Sequence, residues 1–223
     1  MKKIYAINGS PRRSGNTATV LEHALKGAAE AGATTTLIHL ADLRFSGCVS
    51  CFACKVKGGP SYGRCAVRDD LRAVFDQLAD ADGLILGTPV YLGGESSLMR
   101  AFMERFFFPV IRYDAERTSL VKKKYPISFV YTMNVPREQM GAFGYEERFG
   151  MSRFFVKMLY GSEAKTLYVC DTKQFQDYSK YDASRFDPAH KEDVHRQQFP
   201  KDCQDAYAMG KAMAQELGRQ RDN

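Results

Sequence analysis

Tryptophan is absent from this sequence, and histidine occurs only four times in 223 residues. His23, His39, His190 and His195 are scattered, and none stands in a Ser-His-Asp arrangement. Each reads as a surface or packing residue. No pair of carboxylates stands out as an acid and a base. Chemistry built on an activated side-chain nucleophile or proton donor therefore has no visible seat. No run approaches the ~18 apolar residues of a membrane span. After Lys2 and Lys3 only four residues, Ile4 to Ile7, precede Asn8-Gly9, too few for the apolar part of a secretory leader. A cytoplasmic protein with no membrane partner is expected. The net charge is +6, but its only basic run is Lys122–Lys124, just before a predicted strand. Nucleic-acid binding would gather that charge on one face, so none is expected. Scattered positive charge also suits anionic cofactors that carry phosphates.

The length suits one domain spanning residues 1–223, and 44% hydrophobic residues allow a proper core. Short apolar segments at 2–8, 34–40, 83–88, 125–133 and 164–171 read as strands. Helical patterns occupy 16–31, 69–81, 95–108 and 201–218. A further helix covers most of 137–160, interrupted in its first half by Gly141, Gly144 and Gly150. A cysteine- and glycine-rich insertion fills about 44–66. A polar-aromatic extension of little periodicity runs over about 172–199. Strands alternating with helices predict an α/β fold with a parallel sheet covered on both faces. Ligands bind such sheets outside the carboxyl ends of the strands, where strand order reverses.

At the end of the first strand stands "GSPRRSGNT", residues 9–17. A loop there, opening a helix, offers free backbone N–H groups and the positive end of a helix dipole. Ser10, Ser14, Asn16 and Thr17 add side-chain donors around Gly15, and Arg12 and Arg13 supply charge. A Walker loop needs a lysine after its last glycine, and here Asn16 follows Gly15. A dinucleotide fingerprint needs Gly-x-Gly, and here Ser10-Pro11 follows Gly9. A hydroxyl-rich loop without lysine suits a terminal monophosphate such as that of FMN. The competing reading is an ordinary strand–helix turn with one Ser or Asn cap. After the third strand, Pro89, Val90, Tyr91, Leu92, Gly93 and Gly94 form a loop whose glycines let backbone approach a flat ring. Tyr91 either stacks on that ring or is a surface aromatic. Thr132, Met133 and Asn134, on the same sheet edge, are expected ring neighbours. Flavin would also account for the missing acid and base, because hydride is accepted at the cofactor itself.

Six cysteines are present, four of them within eighteen residues. Cys48-x₂-Cys51-x₂-Cys54 has ferredoxin-like spacing, and Cys65 is a possible fourth ligand of a 4Fe-4S cluster. Zinc sites more often use two separate Cys-x₂-Cys pairs. The alternative is a set of reduced loop thiols beside the flavin. Cys170 and Cys203 read as buried structural residues. The aromatics Tyr168, Phe175, Tyr178, Tyr181 and Phe186 either cover the chain's own sheet edge or cross to a neighbouring subunit.

"GSPRRSGNT" and "GTPVYLGGESSLMRAFMERF" (87–106) resemble the phosphate loop and second flavin loop of the NADPH-dependent FMN reductase family. "GCVSCFACK" and "GRCAVRDDL" resemble the cysteine segment of its iron-sulfur flavoprotein branch. The gap between Cys54 and Cys65 is longer here than in that branch. The resemblance implies a flavodoxin-like sheet of five parallel strands in the order 2-1-3-4-5. It further implies an enzyme taking hydride from NAD(P)H and passing electrons to a quinone, nitro compound, flavin or protein acceptor. A homodimer or homotetramer is implied as well. The alternatives are an iron-sulfur electron carrier and a non-catalytic flavodoxin-like partner protein with structural zinc.

Overall fold

The computed structural model describes residues 1–116 and 118–219. Its elements run β1 (Lys2–Asn8), α1 (Asn16–Glu30), β2 (Ala33–His39), α2 (Leu71–Leu78), β3 (Gly83–Tyr91), β4 (Gly94–Glu95), α3 (Ser97–Phe107), β5 (Ile127–Thr132), α4 (Tyr145–Tyr160), β6 (Thr166–Val169), α5 (Pro188–Gln197) and α6 (Phe199–Arg219). Five strands pair in parallel in the order β2-β1-β3-β5-β6. This is the expected flavodoxin-like order with one addition. The two-residue β4 folds back antiparallel on the end of β3, pairing Val90 with Glu95 and Tyr91 with Gly94. Leu92 and Gly93 close that hairpin with φ of +50° and +82°, the backbone of a two-residue turn with both central residues left-handed.

Alternate residues of each strand face opposite layers. Ile4, Ala6, Ile85, Val130 and Val169 pack with α1 and α6. Ile7, Leu84, Leu86, Phe129 and Tyr131 pack with α2, α3 and α4. Both faces are buried, so the strands read as unbroken apolar runs rather than alternating ones. Helices α1 and α6 touch backbone to backbone at two glycines. A Cβ on Gly210 would lie 1.8 Å from the carbonyl oxygen of Ala24, and one on Gly27 would lie 2.0 Å from that of Tyr207. Among the described residues, no helix is long and apolar enough to cross a membrane.

Three expectations need correction. The third strand does not stop at residue 88 but continues through Pro89 to Tyr91. Pro89 lies two residues past the last β1 pairing, at Gly87, where a missing N–H is tolerated. The doubtful first half of the fourth helix is a turn: a short 3₁₀ segment at Arg137–Gln139 precedes α4, which begins only after Gly144. The polar-aromatic extension contains α5, started by Asp187, whose side chain accepts from Ala189 N–H, and by Pro188 in the first turn. The Asp-Pro pair was the available signal; the helix's weak apolar periodicity hid it.

Candidate functional site

At the carboxyl ends of β1, β3 and β5 lies a solvent-open cleft. Eleven of the residues singled out in the sequence line it: Ser10, Arg12, Gly15, Asn16 and Thr17 from the opening loop, Pro89, Val90 and Tyr91 from β3, and Thr132, Met133 and Asn134 from the end of β5. Ser14, Leu92, Gly93 and Gly94 do not line it. Ser14 is exposed on the far side of the loop, and Leu92 projects fully into solvent at the tip of the hairpin.

The opening loop is shaped from within. Asn8, fully buried at the end of β1, accepts from Ser10 N–H through Oδ1 at 2.9 Å, and its Nδ2 lies 3.0 Å from His39 Nδ1. Ser10 Oγ accepts from Arg12 N–H at 3.1 Å. Ser96, the N-cap of α3, donates its hydroxyl to Gly9 carbonyl oxygen at 2.6 Å, fastening the opening loop to the hairpin region. Thr17 and Thr132 hydroxyls meet at 2.7 Å across the cleft base. The capped-turn reading of the loop is not realised: the N-cap of α1 is Gly15, and no side chain caps its first turn. The helix thus presents uncapped N–H donors toward the cleft, the arrangement an anion requires.

Three wall residues escaped sequence reasoning: Thr172, Gln174 and Phe175, just after β6. Arg12 Nη1 donates to the carbonyl oxygen of Gln174 at 2.9 Å, and Asn16 Nδ2 to that of Lys173 at 2.9 Å. Phe175 stacks on Tyr181 at 4.0 Å and meets Tyr178 edge-on. The start of the aromatic segment therefore walls the cleft. Its clustering aromatics were visible in sequence, but their place beside the opening loop depends on pairings 157 and 162 residues apart.

A second, smaller cavity is lined by Cys48, Cys51, Cys54 and Cys65, with Val49, Phe52, Glu104, Arg105 and Phe108 among its other walls. Among the described residues, no three His, Cys, Asp or Glu side chains converge closely enough to hold a single metal ion. The four thiols line the cavity without meeting at one point. Two cations hold the loop, Arg105 buried and Lys55 half-buried. Arg105 donates through Nε to Cys65 Sγ at 3.3 Å and through Nη2 to Asp69 Oδ1 at 2.8 Å. Lys55 Nζ donates to the carbonyl oxygens of Phe108, Pro109 and Ile111 and lies 4.4 Å from the Phe108 ring centre. Ser50 and Phe52 both take φ of +52°, left-handed backbone that non-glycine residues adopt only where surroundings hold it. Burial pushes the Cys54 thiol up, against the lowering influence of Lys55. Burial likewise raises Cys170 and Cys203 to about 11, in keeping with small buried packing residues.

Residues 2–134 match the family model described as NADPH-dependent FMN reductase. An iron-sulfur flavoprotein of Methanocaldococcus jannaschii is 40% identical over 103 residues, which make up 46% of this chain and 51% of that protein. One from Archaeoglobus fulgidus is 33% identical over 103 residues, 46% of this chain and 48% of its own. The chain thus spans about half the length of the curated relatives it matches. An NAD(P)H:quinone oxidoreductase from Methanothermobacter marburgensis has the same fold, with a TM-score of 0.70 at 15% identity, covering 94% of this chain and 98% of that one. An FMN-dependent NADH-azoreductase from Bacillus anthracis superposes with a TM-score of 0.61 at 14% identity, covering 97% and 99%.

Proposed function

Because the chain belongs to the NADPH-dependent FMN reductase family, we propose that it is an oxidoreductase that binds FMN in the larger cleft, is reduced by NAD(P)H, and passes electrons to a small acceptor such as a quinone or azo compound. The supporting observation is the uncapped first turn of α1, facing a cleft at the sheet's carboxyl edge and flanked by Ser10, Arg12, Asn16 and Thr17. These donors suit a phosphate. Pro89, Val90 and Tyr91 on one side, and Thr132, Met133 and Asn134 on the other, would hold the ring. When bound, FMN supplies the hydride-accepting chemistry. The residues' part is to seat the phosphate, orient the ring and leave one face open to the nucleotide. Two of the proposed phosphate residues, Arg12 and Asn16, also brace the wall at residues 173–174. Loss of both should therefore weaken both flavins somewhat through that wall, and FMN further, because riboflavin lacks the phosphate. Equal loss for the two flavins would refute the phosphate assignment.

A second reading concerns the cysteine cavity. All four cysteines of the Cys-x₂-Cys-x₂-Cys…Cys pattern line one cavity with the buried Arg105 and the half-buried Lys55 beside it, a setting that suits an anionic thiolate-bound cluster. Cys48, Cys51, Cys54 and Cys65 would hold a 4Fe-4S cluster, which would supply one-electron traffic. A single-ion zinc site finds no such support. Protein reconstituted anaerobically with iron and sulfide is expected to hold both in a ratio of about one. Iron uptake no greater than that of Cys51→Ala would leave these four as loop thiols.

A further inference from the structure

The corner of the cleft formed by the loops after β5 and β6 is fastened from outside by α5. Lys191, only 3% exposed, donates its ammonium to the carbonyl oxygen of Asn134 at 2.9 Å and to the carboxylate of Asp171. Asn134 lines the cleft, and Asp171 immediately precedes Thr172, which lines it too. His190, the neighbour of Lys191 on α5, meets Asp171 Oδ2 through Nε2 at 2.5 Å. The two loops are stitched further by Asp171 N–H to Val135 carbonyl oxygen at 3.0 Å, and by Thr172 N–H and Oγ1 to that of Met133 at 2.9 and 3.1 Å. Asp171 holds a left-handed φ of +55°, a conformation that persists for a non-glycine residue only where its surroundings over-determine it. Of the other charged groups at this corner, Lys173 pairs with Glu192 of α5.

We propose that Lys191 and Asp171 are positioning residues for the bound flavin: together they fix the Asn134 and Thr172 walls, and as a balanced pair they bring no net charge to that corner of the cleft. The inference rests on the flavin reading of the cleft. Hydride transfer to a flavin adds one negative charge to the ring system. An Asp171 carboxylate left without Lys191 would oppose that charge, and a Lys191 ammonium left without Asp171 would favour it.

The test uses FMN-loaded protein and measures its two-electron midpoint potential together with the dissociation constant of oxidised FMN. Lys191→Met should weaken reduced FMN relative to oxidised FMN by about tenfold, lowering the potential by ~30 mV. Asp171→Asn should move it about tenfold the other way, ~30 mV upward. Lys191→Arg should stay close to wild type. The double variant Lys191→Met/Asp171→Asn carries no unpaired buried charge, so it keeps the test open if a single variant fails to fold. It should return the potential to near the wild-type value while binding oxidised FMN more weakly, because the Asn134 wall loses its tie to α5. Shifts of the same sign in both single variants, or a double variant equal to wild type in FMN affinity, would overturn the proposal. Wild-type protein that takes up no FMN would instead refute the flavin reading beneath it.

Discussion

The larger cleft and the cysteine cavity are built on opposite principles. The cleft sits where regular elements end. Most of its walls come from the tips of β1, β3 and β5 and the first turn of α1, set by sheet pairing, with one further wall at 172–175 after β6. The cavity sits in a long connection between β2 and α2. Its shape rests on the contacts of a buried Arg105 and a half-buried Lys55, and on left-handed backbone at Ser50 and Phe52. A site made of element ends follows from topology. A site made of loop depends on a few side-chain contacts, and should fail with them.

The largest expected effect is at the cavity. Arg105→Met takes the charged hydrogen bonds from a half-buried Asp69 carboxylate, a loss of ~1.5–3 kcal/mol, read by chemical denaturation. Burial alone would raise the Asp69 carboxyl, but hydrogen bonds and charge from Arg105 hold it below the ordinary carboxylate range. A carboxylate with a depressed folded-state pKa contributes stability that is present above its unfolded pKa, about 4, and lost as pH falls through the folded value. The deficit of the variant should therefore narrow on acidification below about pH 4. A deficit that stays constant with pH would mean Arg105 acts through packing alone.

Next in size is the helical layer beneath the cleft. Gly210→Ala drives a methyl into the α1 backbone and should cost ~1–3 kcal/mol as the helices part. Since α1 also presents its first turn to the cleft, FMN affinity should fall with stability; a destabilised variant with unchanged affinity would show that the two ends of α1 are uncoupled. At the cleft itself, Arg12→Ala with Asn16→Ala should weaken FMN more than tenfold, above ~1.4 kcal/mol, with riboflavin much less affected. The smallest change is expected from Phe175→Leu, below ~1.4 kcal/mol for FMN. That wall is apolar and does not read the phosphate, so both flavins should weaken alike; a preference for one would place Phe175 in phosphate recognition.

The contrast also explains what the sequence revealed. "GSPRRSGNT" and the loop at 89–94 are short stretches following strands, so their residues meet wherever the strands pair in parallel. Eleven wall residues were legible for that reason, while the strand order was implied by the family resemblance. Ser14 and Gly94 fell outside the wall because a motif gives neighbours along the chain, not which way each side chain turns. Phe175, Asn8 and Lys191 were not legible. Each works through a partner on another element, as Lys191 does with Asn134, 57 residues away. The cysteine spacing was plain, but the buried Arg105 on α3 that fixes Cys65 was hidden among the aromatics of an amphipathic helix.

The central claim is that the larger cleft holds a flavin that works in turnover with a nicotinamide nucleotide. The direct measurement is an anaerobic titration of FMN-loaded protein with NADH and, separately, NADPH, followed by a quinone. At least one nucleotide should bleach the oxidised flavin absorbance in a one-to-one titration, and the quinone should restore it. A bound flavin that neither nucleotide bleaches would contradict the account and leave a flavin-binding protein without reductase activity.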